Sequence, residues 1–168
     1  MTAVLDGLAQ ILLPTNLLAL AALGLFIGQN TTQDLRITFA LFAAGLFTGA
    51  LLVAFALRDP PAAAALLVLA AIAGLIMAIA RPLPPLIGHT LSFAAGVALA
   101  LNAPPQAVTI PAAISAQLAI GFAALAATRL VALVASKAEK AWQRIGIRIA
   151  GSWIAASAIL VIALWLVR

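Results

Sequence analysis

The chain has 168 residues, 66% of them hydrophobic and 8% charged, with a net charge of +5 and a mean hydropathy of +1.24. A soluble domain of this size needs a polar coat that these residues cannot supply, so most of the surface is expected to face lipid. The absence of cysteine excludes disulfides, thiolate metal sites, iron–sulfur clusters and cysteine nucleophiles, and the positive charge forms no basic groove or aromatic platform for nucleic acid.

A transmembrane helix takes about 20 apolar residues. Six such spans with short connections use the whole chain, which reads as one transmembrane domain over residues 1–168 with no length for a separate soluble domain. The first span is expected over residues 7–28, ended by the polar run Gln29-Asn30-Thr31-Thr32-Gln33-Asp34. No basic segment or small-residue cleavage site accompanies it, so it is expected to be retained. The second covers 36–57 and stops at Arg58-Asp59-Pro60-Pro61, where two prolines cannot continue the hydrogen-bond ladder. The third covers 62–80, before a stiff Arg81-Pro82-Leu83-Pro84-Pro85 elbow. A short fourth covers 86–101 and closes at Asn102-Ala103-Pro104-Pro105. The fifth, 107–136, carries Pro111 in its first turns; Lys137 to Arg148 reads as a charged connection, and the sixth span follows over 149–167. The apolar runs are unbroken, whereas barrel strands alternate with a period of two, so the fold class is all-α, a polytopic bundle of about six transmembrane helices.

Orientation follows lysine and arginine bias. Loops 1, 3 and 5 carry Arg36, Arg81, Lys137, Lys140, Arg144 and Arg148, with Arg129 near the same side, while loops 2 and 4 and the termini carry only Arg58 and Arg168. The odd loops are therefore expected in the cytoplasm and both termini outside. Trp142 and Trp153, around the start of the sixth span, and Trp165, near its end, read as interfacial anchors, and Arg129 as a side chain that snorkels to the interface. Gly24-Leu-Phe-Ile-Gly28 and Gly45-Leu-Phe-Thr-Gly49 set small residues four apart on one helix face, where two backbones can approach in lipid.

A site in such a protein should show as ionisable groups inside a span. None of Asp6, Asp34, Asp59 and Glu139 lies mid-span, and the lone His89 follows the proline elbow. One histidine without cysteine or a buried carboxylate makes no metal set. No nucleophile–base pair is in sight, so neither catalysis nor a bound cofactor is expected. The neutral polar residues that remain are Gln10, Thr15, Asn16, Thr90, Ser92, Ser115, Gln117, Thr128, Ser152 and Ser157. An amide in hydrocarbon must find a partner, so Asn16 and Gln117 serve either as interhelical hydrogen bonds that fix register or as parts of a polar cavity. The candidate cavity is Gln10, Asn16, His89 and Gln117, with Pro14 and Pro111 kinking their helices to open it.

Three stretches resemble the HupE/UreJ family of small membrane proteins associated with nickel uptake. Pro14-Thr-Asn-Leu-Leu-Ala-Leu-Ala-Ala-Leu-Gly-Leu-Phe-Ile-Gly28 is similar to the family's opening H-P-x-x-G-x-D-H-L-L-A segment, and Gly88-His-Thr-Leu-Ser92-Phe-Ala-Ala-Gly96 to its G-x-x-x-S-x-x-x-G span. Gly121-Phe-Ala-Ala-Leu-Ala-Ala-Thr128 and Arg148-Ile-Ala-Gly-Ser-Trp-Ile resemble its C-terminal third. The departures fall on the metal positions. Thr15-Asn16 stands where the family has Asp-His, Ala9-Gln10 or Gln10-Ile11 where it has His-Pro, and Ile114-Ser-Ala-Gln-Leu-Ala119 where it is histidine-rich. The histidine after the Ala-Thr pair falls near Val131-Ala132. The resemblance implies a bacterial inner-membrane frame stripped of its ligands. Two roles then stay open. One is an accessory or scaffold subunit that binds other membrane proteins, further copies of itself, lipid or a pigment. The other is a small permease for nickel, cobalt or a neutral solute.

Overall fold

Proline sits in the first described turn of three helices. In the computed structural model, which describes residues 9, 12–29, 34–54, 62–79, 84–103 and 110–166, Pro14 opens α1 (Pro14–Gln29) and Pro85 opens α4 (Pro85–Asn102). Pro111 is the second residue of α5 (Ile110–Ser136). The first helical turn has no intrahelical use for an N–H, so a proline there costs nothing and bends nothing. The kink expected from Pro14 is therefore absent, since Pro14 starts its helix, while Pro111 lies in the first described turn of α5 and the residues 104–109 before it lie outside the described residues.

The other helices are α2 (Leu35–Ala54), α3 (Ala62–Ile79) and α6 (Ala141–Leu166), and no strand occurs among the described residues. Five of the six, α2 to α6, are long and apolar enough to cross a membrane, so the protein is an all-α membrane bundle. The exception is α1, whose 16 residues span about 24 Å. The expected outer ends at residues 7–8, 10–11, 55–57, 80, 107–109 and 167 lie outside the described residues, as do Arg58, Arg81 and Arg168.

Two helix starts are set by side chains. The Asp34 carboxylate accepts the Arg36 N–H at 2.9 Å, capping α2, and the Thr38 hydroxyl donates to the Asp34 carbonyl at 3.0 Å. At α6, Gln143 Oε1 reaches back to accept the Lys140 N–H at 3.0 Å, one half of a capping box. This corrects the expected charged connection. Helix α6 begins at Ala141, eight residues before the expected start at 149, and only the short stretch 137–140 separates it from α5. Nothing in Ala-Trp-Gln-Arg-Ile-Gly-Ile-Arg forbids a helix, and the Arg144 Nε–H donates to the Ala138 carbonyl at 3.3 Å, tying the first turn of α6 to the connection before it.

Sequence neighbours are not the main packing partners. The three closest pairs are α2 with α4, α3 with α6, and α1 with α5; α1 also packs on α3, which in turn touches α4. Nine residues of α1 are buried, against four of the much longer α6, so α1 is the centre of the bundle and α6 part of its rim. Each close pair meets at glycine. A Cβ on Gly24 would sit 2.6 Å from Val131 Cβ and 2.9 Å from the Thr128 carbonyl, and one on Gly28 would strike the Ala132 carbonyl, both on α5. On α2, Gly45 faces the Phe93 carbonyl and Gly96, while a Cβ on Gly49 would meet the Val97 carbonyl at 2.7 Å, all on α4. Gly74 of α3 meets α6 in the same way, since a Cβ there would stand 2.6 Å from the Gly151 carbonyl. Small residues let the backbones close on one another, and dispersion then holds the pairs where lipid offers no hydrophobic drive. Both sequence motifs thus serve contacts inside one protomer.

These registers run α1 parallel to α5, α2 parallel to α4 and α3 antiparallel to α6, and the short connections between successive helices then turn α1, α3 and α5 one way and α2, α4 and α6 the other. All six described basic residues, Arg36, Arg129, Lys137, Lys140, Arg144 and Arg148, gather where the first set ends and the second begins. That end is called the basic end below. Along α6, Trp142 and Trp153 are eleven residues or about 16 Å apart, too far to share an interfacial layer of about 5–7 Å. They cannot both anchor the basic end, while Trp165 lies near the far end of the same helix.

Candidate functional site

The buried polar residues are few and sit at two levels. At the end away from the basic one, α1 starts beside the end of α4, which brings Asn16 against Asn102. The Asn102 Nδ2 amide donates to Asn16 Oδ1 at 2.7 Å, and Asn16 is wholly buried. Asn16 makes a further interaction besides this one. An amide left alone in an apolar interior would cost several kcal/mol, on the order of 2–7. The pair therefore locks the depth of α1 against α4.

Gln117 lies near the same end, on α5. Extending the Gly24–Thr128 and Gly28–Ala132 register brings Ile120 opposite Asn16 and Gln117 about one turn further out. Its Oε1 is buried without a donor among the described residues. His89 belongs to the other level. It is thirteen residues before Asn102 on α4, about 20 Å along the axis. Asn16 and His89 therefore stand at opposite ends of the bundle and do not line one cavity, which corrects the expected convergence. Gln10 lies outside the described residues.

Three buried polar atoms in the half nearer the basic end have no partner among the described residues: His89 Nε2, Ser92 Oγ and Thr128 Oγ1. Ser92 is about 10 Å from the start of α4 and Thr128 about 12 Å from the end of α5. Several other hydroxyls are satisfied by backbone carbonyls of their own helix. Thr48 donates to the Ala44 carbonyl at 2.9 Å, and Thr90 to the carbonyls of Leu86 and Ile87. Among the described residues no three His, Asp or Glu side chains come together as a metal set would require.

Between α1, α3 and α4 a void of about 10 Å³ is lined by alanine and leucine alone, including Ala19, Leu23, Ala70 and Ala95. That is the size of one water, without the polar partners a water needs. Sequence reasoning singles out Asn16 but takes Asn102 for a helix end. The signal lies in topology: a first-helix start and a fourth-helix end share one membrane face. Comparison with known families, with characterised proteins and with solved structures returns no significant match.

Proposed function

We propose that this chain is a non-catalytic accessory or scaffold subunit of a larger membrane complex, built on a HupE/UreJ-like frame in the bacterial inner membrane. Its basic end faces the cytoplasm and both termini face outside, following the charge bias. The frame is proposed from the sequence resemblance and the six-helix order. The observation that carries the role is the fate of Asn16. Asn16, one of the two residues standing where the family has its Asp-His pair, is spent on a hydrogen bond to Asn102, and the small void between α1, α3 and α4 is lined by alanine and leucine. Chemistry of that kind holds helices in place and moves no solute.

The test is gentle solubilisation of native membranes and identification of what comigrates. A single partner species at fixed stoichiometry, recovered with the tag on either terminus, is expected. Recovery only as a lone protomer or homo-oligomer would overturn the proposal. The permease reading, for nickel, cobalt or a small neutral solute, draws support from the unpartnered Ser92, Thr128 and His89 atoms. It predicts uptake that falls in Ser92→Ala and Thr128→Val vesicles; unchanged uptake would remove it.

A further inference from the structure

The tight pairing of α2 with α4 and of α1 with α5 leaves α2 and α5 apart at the basic end. The trough between them has a volume of about 520 Å³, within the range of small-molecule sites. Its walls are apolar, lined by Phe39 from α2 and by Phe122 and Leu125 from α5. It also holds two cations, Arg36 and Arg129. Both are exposed, and neither guanidinium has a hydrogen-bond or ion-pair partner among the described residues. The nearest carboxylate in sequence, Asp34, accepts the Arg36 backbone N–H instead. From Ser136 at the end of α5 to Phe122 the trough runs fourteen residues, about 21 Å. It therefore reaches from the headgroup level to well inside the hydrocarbon.

We propose that this trough binds one anionic glycerophospholipid from the leaflet at the basic end. Its phosphate lies between Arg36 and Arg129, and one acyl chain lies along Phe39, Leu125 and Phe122. A guanidinium presents a planar fork of donors that matches phosphate oxygens, and two of them answer a single anionic headgroup. Basic pockets between transmembrane helices on the cytoplasmic side are suited to such headgroups. A free anion would use the arginines but gain nothing from about 20 Å of apolar wall, whereas an acyl chain uses all of it. The site goes beyond the scaffold role and stands whether or not that role holds, because its readout needs only the purified chain.

The experiment is native mass spectrometry of the full-length protein released from nanodiscs of phosphatidylglycerol and phosphatidylcholine with matched acyl chains. One phosphatidylglycerol retained per protomer, with phosphatidylcholine lost, is expected. Arg36→Gln with Arg129→Gln should weaken that retention by about tenfold or more. Lys137→Gln with Lys140→Gln removes the same charge outside the trough and should change it by no more than about twofold. Leu125→Trp fills the trough with both arginines intact and should also expel the lipid. Melting in lipid-free detergent checks that each variant is folded. Equal retention of the two lipids, or equal loss in the two charge variants, would overturn the site. Displacement of the lipid by millimolar inorganic phosphate would overturn the amphiphile assignment and leave a simple anion site.

Discussion

Helices α4 and α5 have similar chemistry and opposite situations. Helix α4 is wedged: Gly96 lets α2 close on it, with the Phe42 carbonyl against one side of that glycine and the Leu46 N–H 2.8 Å from where a Cβ would stand, while α3 and α1 cover other faces. Helix α5 touches the bundle along one stripe, Ala116, Ile120, Ala124, Thr128, Ala132 and Ala135, spaced by four or three residues. Its remaining circumference meets lipid or the α2 trough, with Phe122 72% exposed. Both are apolar and alanine-rich, so hydrophobicity does not separate them. What separates them is the number of sides on which a backbone comes close.

That contrast can be broken most severely at Gly96. Gly96→Ala drives a Cβ into backbone atoms that cannot rotate away, and should lower stability by about 1–3 kcal/mol. Reversible unfolding in mixed micelles would measure it, and a neutral result would show that α2 and α4 can separate freely. Asn102→Leu comes next. It strips buried Asn16 of its 2.7 Å partner and should cost about 0.6–2 kcal/mol, with a double-mutant cycle against Asn16→Leu returning a coupling of similar size. At the α5–α6 joint, Gln143→Ala removes the cap on the Lys140 N–H and should cost about 0.5–1 kcal/mol. Hydrogen exchange should show faster protection loss confined to the first turn of α6. Smallest of all are the changes on α5. A Cβ on Gly121 would meet nothing within 4 Å, and Gln117 Oε1 accepts no bond among the described residues. Gly121→Ala and Gln117→Leu should each stay within about 0.5 kcal/mol of the parent or stabilise it. A loss above about 1 kcal/mol in either, on the order of the Gly96→Ala effect, would mean that α5 has a neighbour on its open side.

Much of the fold is legible in the residues. Unbroken apolar runs separated by proline pairs at three of the five connections and by polar or charged runs at the other two mark six helices. The start of α6 is not legible, since Arg144 and Arg148 read as loop residues when charge is taken to exclude a helix. A helix that emerges from the hydrocarbon keeps its ladder while its side chains reach the headgroups. The glycine motifs mark close faces on α1 and α2 but not the partners α5 and α4. Gly74 and Gly151 sit only in glycine–alanine spacings of four, such as Ala70 to Gly74 and Gly151 to Ala155, which an alanine-rich chain repeats widely, so their importance shows only when α3 and α6 meet. The same holds for the polar residues. Asn16 stands out alone, but its bond to Asn102 depends on which helix ends share a membrane face, and His89 falls at the opposite level for that reason.

The placement of α1 at the centre also sets an order of events. It is synthesised before every helix that covers it, and Asn102 leaves the ribosome 86 residues after Asn16. At about 5–20 residues per second that interval is roughly 4–17 s. During it, α1 carries an amide without its eventual partner and glycines without the backbone they are cut to receive. The arrival of α4 supplies the partner of the Asn16 amide, and only the later arrival of α5 supplies the backbone that Gly24 and Gly28 receive.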